Sequence, residues 1–131
     1  MTPTKQVKRV VRDLIPALPG WTVYDDVATG KSPPWVVVRV SETGRESAED
    51  LHTTASMGML DIRIVARTGE AIDIIADGLK PALDGATPAD RRVGRLVPDV
   101  DSGVYAAELT DPDTSRPWLM RVLTWRFGWS A

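Results

Sequence analysis

The sequence predicts an α+β protein in which a mixed, mostly antiparallel β-sheet carries two α-helices packed on one face. Two segments repeat apolar residues at helical spacing, and several others are β-branched or alternate between apolar and polar residues. Their order along the chain is α-β-β-β-α-β-(β)-β, where the bracketed strand is short. The 131 residues, 43% of them hydrophobic, have the size and composition of a single domain spanning residues 1–131.

Two segments carry the pattern of amphipathic helices. The first begins at about Thr4, and the second begins around Thr68, a residue type that favours helix starts. Both end in the pattern Leu-x-Pro-Ala-Leu-x-Gly, at 14–20 and 79–85, because proline opposes a continuing helix and glycine accepts a positive φ angle. The apolar stripes are Val7, Val10, Val11, Leu14 and Leu18, and then Ile72, Ile75, Ala76, Leu79 and Leu83.

Strands are predicted where β-branched runs or strict alternation occur. Residues 35–40 form the densest β-branched run and are predicted as a central strand, whereas residues 51–67 alternate and predict an unusually long strand. If these two strands pair, the polar residues 41–50 form a mobile loop at the tip of a hairpin that projects beyond the core. The other predicted strands are 21–24, 92–97, 104–109 and 118–127.

Composition excludes several functional classes. The chain has no cysteine and a single histidine, His52, so it lacks the residues for a thiolate zinc site, an imidazole metal cluster or a nucleophile-base-orienter set. The Asp-x-Asp pairs at 99–101 and 111–113 are predicted as turns, because no glutamate follows at calcium-loop spacing. The net charge of −2 argues against nucleic-acid binding by bulk electrostatics. We therefore expect no catalytic, metal or cofactor site.

Aromatic residues concentrate in the last predicted strand and just beyond it. Both faces of this strand are mostly apolar, which is typical of a central strand or of an edge strand buried by another subunit. Trp118 and Trp125 are predicted to pack in the core, whereas Trp129 is a candidate for packing or for an interface. We expect Phe127 and Trp129 to anchor a self-association surface at the sheet edge.

Charged residues mark two further candidate interface segments. Those of the predicted loop cannot be buried alone without a large desolvation cost, so we expect the loop to become ordered against a partner or to be a solvated turn. They are Glu42, Arg45, Glu46, Glu49 and Asp50. The basic cluster Arg91, Arg92 and Arg95 is predicted as a solvated face or an intersubunit salt bridge, with contact to DNA phosphate as the alternative.

The order of several short motifs carries a family resemblance. A short N-terminal helix is followed by Trp-x-Val-Tyr-Asp-Asp at 21–26 and by Pro-Pro-Trp-Val-Val-Val-Arg-Val at 33–40. After the polar loop come a long strand ending in Ile-Arg-Ile-Val-Ala at 62–66, a helix closed by Leu-Asp-Gly at 83–85, and a late β-strand. This pattern, which spans most of the chain, resembles the tail terminator proteins of long-tailed bacteriophages.

The resemblance implies a non-enzymatic α+β protein that acts as a ring, commonly a hexamer. Such a ring caps the tail tube, ends its polymerisation and offers a joining surface to the head-side connector or stopper protein. The implied partners are further copies of the chain and the tail tube protein, while DNA passes through the ring without specific binding. The implied location is the head-proximal end of the virion tail, after assembly in the host cytoplasm, with no membrane association.

Three alternative functions also fit the sequence. Head-tail connector or neck proteins share a similar size and layout. A small α+β binding module would show a concave apolar pocket with convergent polar groups. A metal-dependent phosphoesterase or nuclease would use the acidic loops and would lose activity with a chelator.

Overall fold

The computed structural model describes residues 3–47 and 53–130, which form two helices and six strands. The helices are α1 (Thr4–Arg12) and α2 (Gly69–Leu83). The strands are β1 (Thr22–Asp25), β2 (Trp35–Ser47), β3 (Thr53–Ala66), β4 (Val97–Asp101), β5 (Tyr105–Thr110) and β6 (Pro117–Ser130). The predicted α+β class and the predicted order of elements are confirmed.

The six strands form one mixed sheet in the order β1-β2-β3-β6-β4, and β5 also pairs with β6. Only β1 and β2 run parallel, and the other pairings are antiparallel. β6 lies inside the sheet, between β3 on one side and both β4 and β5 on the other. Its two apolar faces therefore belong to a central strand, and the alternative of an edge strand is wrong.

Both helices cover the same face of the sheet, as predicted. Val7 and Val11 of α1 join the apolar stripe of α2 in one buried cluster. The sheet contributes alternate residues to this cluster, which is the period expected when one face of each strand is buried. These residues are Val36, Val38, Val40, Leu60, Ile62, Ile64, Ala66, Leu123 and Trp125.

The two helices end differently, although they share a sequence pattern. α1 stops at Arg12, before the pattern begins, with Asp13 as its C-cap. α2 is capped by Thr68, whose hydroxyl accepts a hydrogen bond from the Ala71 amide, and continues through Pro81 to Leu83. The glycines that close the two patterns, Gly20 and Gly85, both have positive φ, at 83° and 72°.

The hairpin between β2 and β3 corrects one prediction. Residues 41–47, expected in a loop, continue β2 and pair with β3 from Ser41 opposite Met59 to Ser47 opposite Thr53. Backbone pairing needs no apolar side chains, so the polar sequence concealed this part of the strand. The predicted hairpin itself is confirmed. The remaining loop candidates, Glu49 and Asp50, lie outside the described residues.

The segment before β5 also differs from the prediction. Within the predicted strand 92–97, only Val93 bridges to Trp129 and only Val97 enters a strand. β4 instead covers residues 97–101, including the two aspartates at 99 and 101 that were predicted as a turn. Polar residues are tolerated there because every residue of β4 is exposed.

Candidate interaction surfaces

The outer edge of β2 is open over its second half. β1 pairs with β2 only as far as Asp25 opposite Val38, and no strand lies beside residues 41–47 on this side within the described chain. We call residues 41–47 of β2 the hairpin edge. It presents the exposed residues Glu42, Arg45 and Glu46, and Arg45 Nε lies 3.8 Å from Glu42 Oε1. An open edge of this length is a template for pairing with another chain.

A basic segment lies on the opposite edge at the same end of the sheet. The Gly94 amide donates to the Gly128 carbonyl at 2.8 Å, and the Ser130 amide donates to the Arg92 carbonyl at 3.0 Å. These bonds attach residues 92–94 to the end of β6, on the side away from β3. Residues 91–95 hold three exposed arginines, which we call the basic strip: Arg91, Arg92 and Arg95.

The three arginines of the basic strip differ in their partners. The Arg92 guanidinium donates two hydrogen bonds to the Asp90 carboxylate, at 3.0 and 2.7 Å. These bonds hold the pKa of Asp90 well below its usual range. Gln6 of α1 donates to the same carboxylate at 2.9 Å. Among the described residues, Arg91 and Arg95 have no ion-pair partner. Arg92 therefore has its ion-pair partner within the chain, whereas the charges of Arg91 and Arg95 are exposed to solvent.

An exposed apolar patch continues along this edge through β4 and β5. Five of the eight large hydrophobic residues exposed in the described chain fall between positions 97 and 109. Sequence patterning did not reveal the patch because aspartates, serine and glycine interrupt it. The apolar patch consists of Val97, Val100, Val104, Tyr105 and Leu109.

Phe127 and Trp129 are not exposed anchors. Their exposed fractions are 6% and 5%, and they stack with ring centroids 5.7 Å apart. Both rings lie over Gly58 of β3, where a Cβ atom would come within 2.8 Å of each ring. Both side chains belong to the main buried cluster, so the packing alternative for Trp129 is what the single chain shows. The expectation that the two residues anchor a self-association surface stays a prediction, as does an interface role for the nearby C-terminal segment.

Ion pairs elsewhere connect elements of the fold. Arg67 Nε lies 2.7 Å from the buried Asp111 Oδ2, an ion pair that is not aligned as a hydrogen bond, and Nη2 of the same arginine lies 2.9 Å from Asp113. The Arg67 guanidinium also lies 5.3 Å from the centre of the Trp118 ring.

Within residues 3–47 and 53–130, no three histidine, cysteine, aspartate or glutamate side chains group as metal ligands.

A comparison with protein families identifies the class of this chain. The family described as tail completion protein gp17 matches residues 7–125, which run from α1 into β6. The chain belongs to this family. The match confirms the resemblance to phage tail completion and terminator proteins. No curated protein matches the chain.

Membership makes this tail completion protein a structural component of a phage tail. Neither of its helices, within the part of the chain that is described, is long and apolar enough to cross a membrane. The hairpin edge, the basic strip and the apolar patch are therefore candidate contacts with other tail components.

Proposed function

We propose that this tail completion protein forms a ring, with a hexamer as the expected size, at the head-proximal end of the tail tube. There it ends tube polymerisation and provides the surface to which the head-side connector joins. The observation that carries this proposal is the family match over residues 7–125. The role needs binding surfaces and no reacting groups, so we propose that the protein is not an enzyme.

Different candidate surfaces on the two sides of the sheet support assembly into a ring. The hairpin edge lies on one side of the sheet, and the basic strip and apolar patch lie on the other. A contact between two different surfaces of identical subunits is head-to-tail, and it closes into a ring when the rotation per subunit allows. The same ring would let DNA pass, because the net charge of −2 gives no strong general attraction for phosphate.

A capping experiment tests the proposed function. Purified tail tube protein is allowed to polymerise in the presence of increasing amounts of this chain, and tube lengths are measured by negative-stain electron microscopy. We expect shorter tubes of narrower length distribution, with a ring of density at one end. Tubes of unchanged length, together with binding of the chain to DNA-filled heads alone, would instead identify a neck protein.

A further inference from the structure

We propose that the hairpin edge of one copy docks against the basic strip of a second copy, so that these two segments form the contact that repeats around the ring. This inference rests on the proposed function, because it takes the assembly to be a ring of identical subunits. It adds the identity of the two surfaces that meet and the residues that bring them together.

The hairpin edge and the basic strip occupy matching positions on the two sides of the sheet. Glu46 is opposite Ala55 on β3, Ala55 is opposite Ser130 on β6, and the Ser130 amide bonds to the Arg92 carbonyl. The hairpin edge and the basic strip are thus the two ends of one row across the sheet. A neighbouring copy that brings its hairpin edge against the side chains of the strip would lie in line with this row, and each copy would still offer one segment of each kind for a further contact.

The two segments differ in the sign of their charge. The hairpin edge presents two glutamates and one arginine, whereas the basic strip presents two arginines without an ion-pair partner in the described chain. Opposite charges across a contact steer association and fix its register. Two basic strips would repel each other, so the charges oppose a symmetric strip-to-strip dimer and favour the head-to-tail arrangement.

Apolar side chains are also exposed near the strip. A groove of about 340 Å³ is lined by Thr43 of the hairpin edge, by Arg95 of the strip and by Arg126. Met57 and Val97, both of them exposed, form apolar parts of the same lining. A contact that begins with paired charges can therefore bury apolar side chains as well, and burial of apolar surface supplies most of the stability of a lasting interface. A second copy supplies both the acidic edge and a strand able to lie beside the groove.

Disulfide cross-linking tests the contact directly, because the chain contains no cysteine of its own. We would prepare the full chain with Glu46→Cys and Arg91→Cys together and oxidise it both alone and bound to tail tubes. Within one copy the two positions are separated by roughly three strand spacings, about 14 Å. A disulfide requires Cα atoms within about 7 Å. Any disulfide between these positions must therefore join two copies.

The proposal predicts a ladder of covalent oligomers that ends at the ring size. The matched control is Glu46→Cys with Asp77→Cys, which moves the second thiol to an exposed position on α2. Absence of a ladder in both the free and the tube-bound samples would overturn the proposal, as would an equally efficient ladder in the control. Cross-links to the tail tube protein in place of a second copy would also overturn it.

Charge exchange provides an independent test. Reversal of the hairpin edge by Glu42→Lys and Glu46→Lys, or of the strip by Arg91→Glu and Arg95→Glu, should weaken self-association about tenfold or more. Combination of all four substitutions in one chain should restore association, because each contact again joins opposite charges. The control substitutions Asp77→Lys and Lys8→Glu, made together on the helices, should change self-association little. Additive loss in the fourfold variant would refute the proposed contact.

Failure of this inference differs from failure of the proposed function. Tubes that are capped normally by a chain giving no ladder would refute the hairpin-to-strip contact and leave the capping role intact. A complete ladder from a chain that does not alter tube length would refute the capping role and leave the contact between copies intact.

Discussion

Arg121 and Asp101 form a two-point ion pair between the middle of β6 and the end of β4. Arg121 Nε donates to Asp101 Oδ1 at 2.9 Å, and Nη2 donates to Oδ2 at 2.6 Å. Arg121 also donates to Asp73 of α2 at 2.8 Å, and Lys80 of α2 lies 3.1 Å from Asp101. Residues of α2, β4 and β6 therefore meet at the Arg121 side chain, of which only 12% is exposed.

The first prediction concerns this ion pair. Asp101→Asn should lower the free energy of unfolding by about 1 kcal/mol, because it removes a directed charge pair while Arg121 keeps its contact with Asp73. Urea denaturation measures the change. The matched control is Asp113→Asn, since Asp113 is far more exposed and Arg67 keeps its buried partner Asp111. Equal losses in the free energy of unfolding of the two variants would show that burial of the Arg121 side chain does not strengthen its ion pair.

The second prediction is a dependence of stability on acid pH. Hydrogen bonds from Arg121 are the main reason that the pKa of Asp101 lies well below its usual range. Hydrogen bonds from Arg92 lower the pKa of Asp90 in the same way. Because the folded values lie below the unfolded ones, the stabilisation is complete above about pH 4 and is lost as the pH falls further. Urea midpoints should therefore be steady near neutrality and fall below about pH 4.

The Asn variant also checks the pH effect. Asp101→Asn should show a shallower acid-induced loss than the original chain, since one of the two carboxylates responsible is gone. An unchanged slope would assign the acid sensitivity to other groups.

The third prediction tests the space above Gly58. A methyl group there would lie 2.8 Å from both aromatic rings of Phe127 and Trp129 and 2.9 Å from the carbonyl oxygen of Ser41. The rings are enclosed and the carbonyl is backbone, so Gly58→Ala should lower the free energy of unfolding by about 2 kcal/mol. Gly78→Ala on α2 is the opposite control: nothing lies within 4 Å, and alanine should stabilise the helix by up to about 1 kcal/mol.

Apolar periodicity predicted the parts of the fold whose side chains face the main core. The stripe of α2 from Ile72 to Leu83 is buried as expected, and so is the alternation from Leu60 to Ala66 in β3. In both cases the pattern itself records which side faces the sheet. The open half of β2 and the strand β4 were not predicted, because their residues are held by backbone pairing and carry mostly polar side chains.

The candidate site shows a related limit. The sequence left Trp129 open between core packing and an interface, because the residue lies beyond Gly128 near the end of the sequence. The burial of a residue near the end of a strand depends on segments that are distant in sequence, here those around Gly58 and Val93. The residues next to Trp129 in the sequence do not indicate which segments these are. The charges of the hairpin and the strip were visible in the sequence. Their placement at opposite ends of one row required the strand order.

The fourth prediction follows from the burial of Trp129. Trp129→Ala should destabilise the fold itself, by about 3 kcal/mol, because it empties a ring-sized volume against Phe127. Thermal and urea unfolding of the variant measure this loss. Unchanged stability together with weaker ring formation would contradict this prediction and would instead assign Trp129 to the contact between copies.

The last prediction concerns the apolar patch, which shares its edge of the sheet with the basic strip. Val100 is 53% exposed on β4, and its backbone amide donates to the Thr124 hydroxyl, a bond that a substitution of the side chain preserves. Val100→Ser should therefore leave the free energy of unfolding within about 0.5 kcal/mol of the original. If a second copy covers the side chain, the loss of about 1.5 kcal/mol of apolar burial should weaken self-association roughly tenfold.

Ile74→Ser is the matched control for this patch. Ile74 is 64% exposed but lies on α2 instead of the sheet edge, so its substitution removes a similar apolar surface from another part of the molecule. Sedimentation velocity over a range of concentrations compares the two variants with the original chain. Weaker association in Val100→Ser alone would place the patch in the contact between copies. An effect of Ile74→Ser alone would place the contact between copies on the helical face, and equal effects would show no preference for the patch. Either result would contradict the assignment of the apolar patch to that contact.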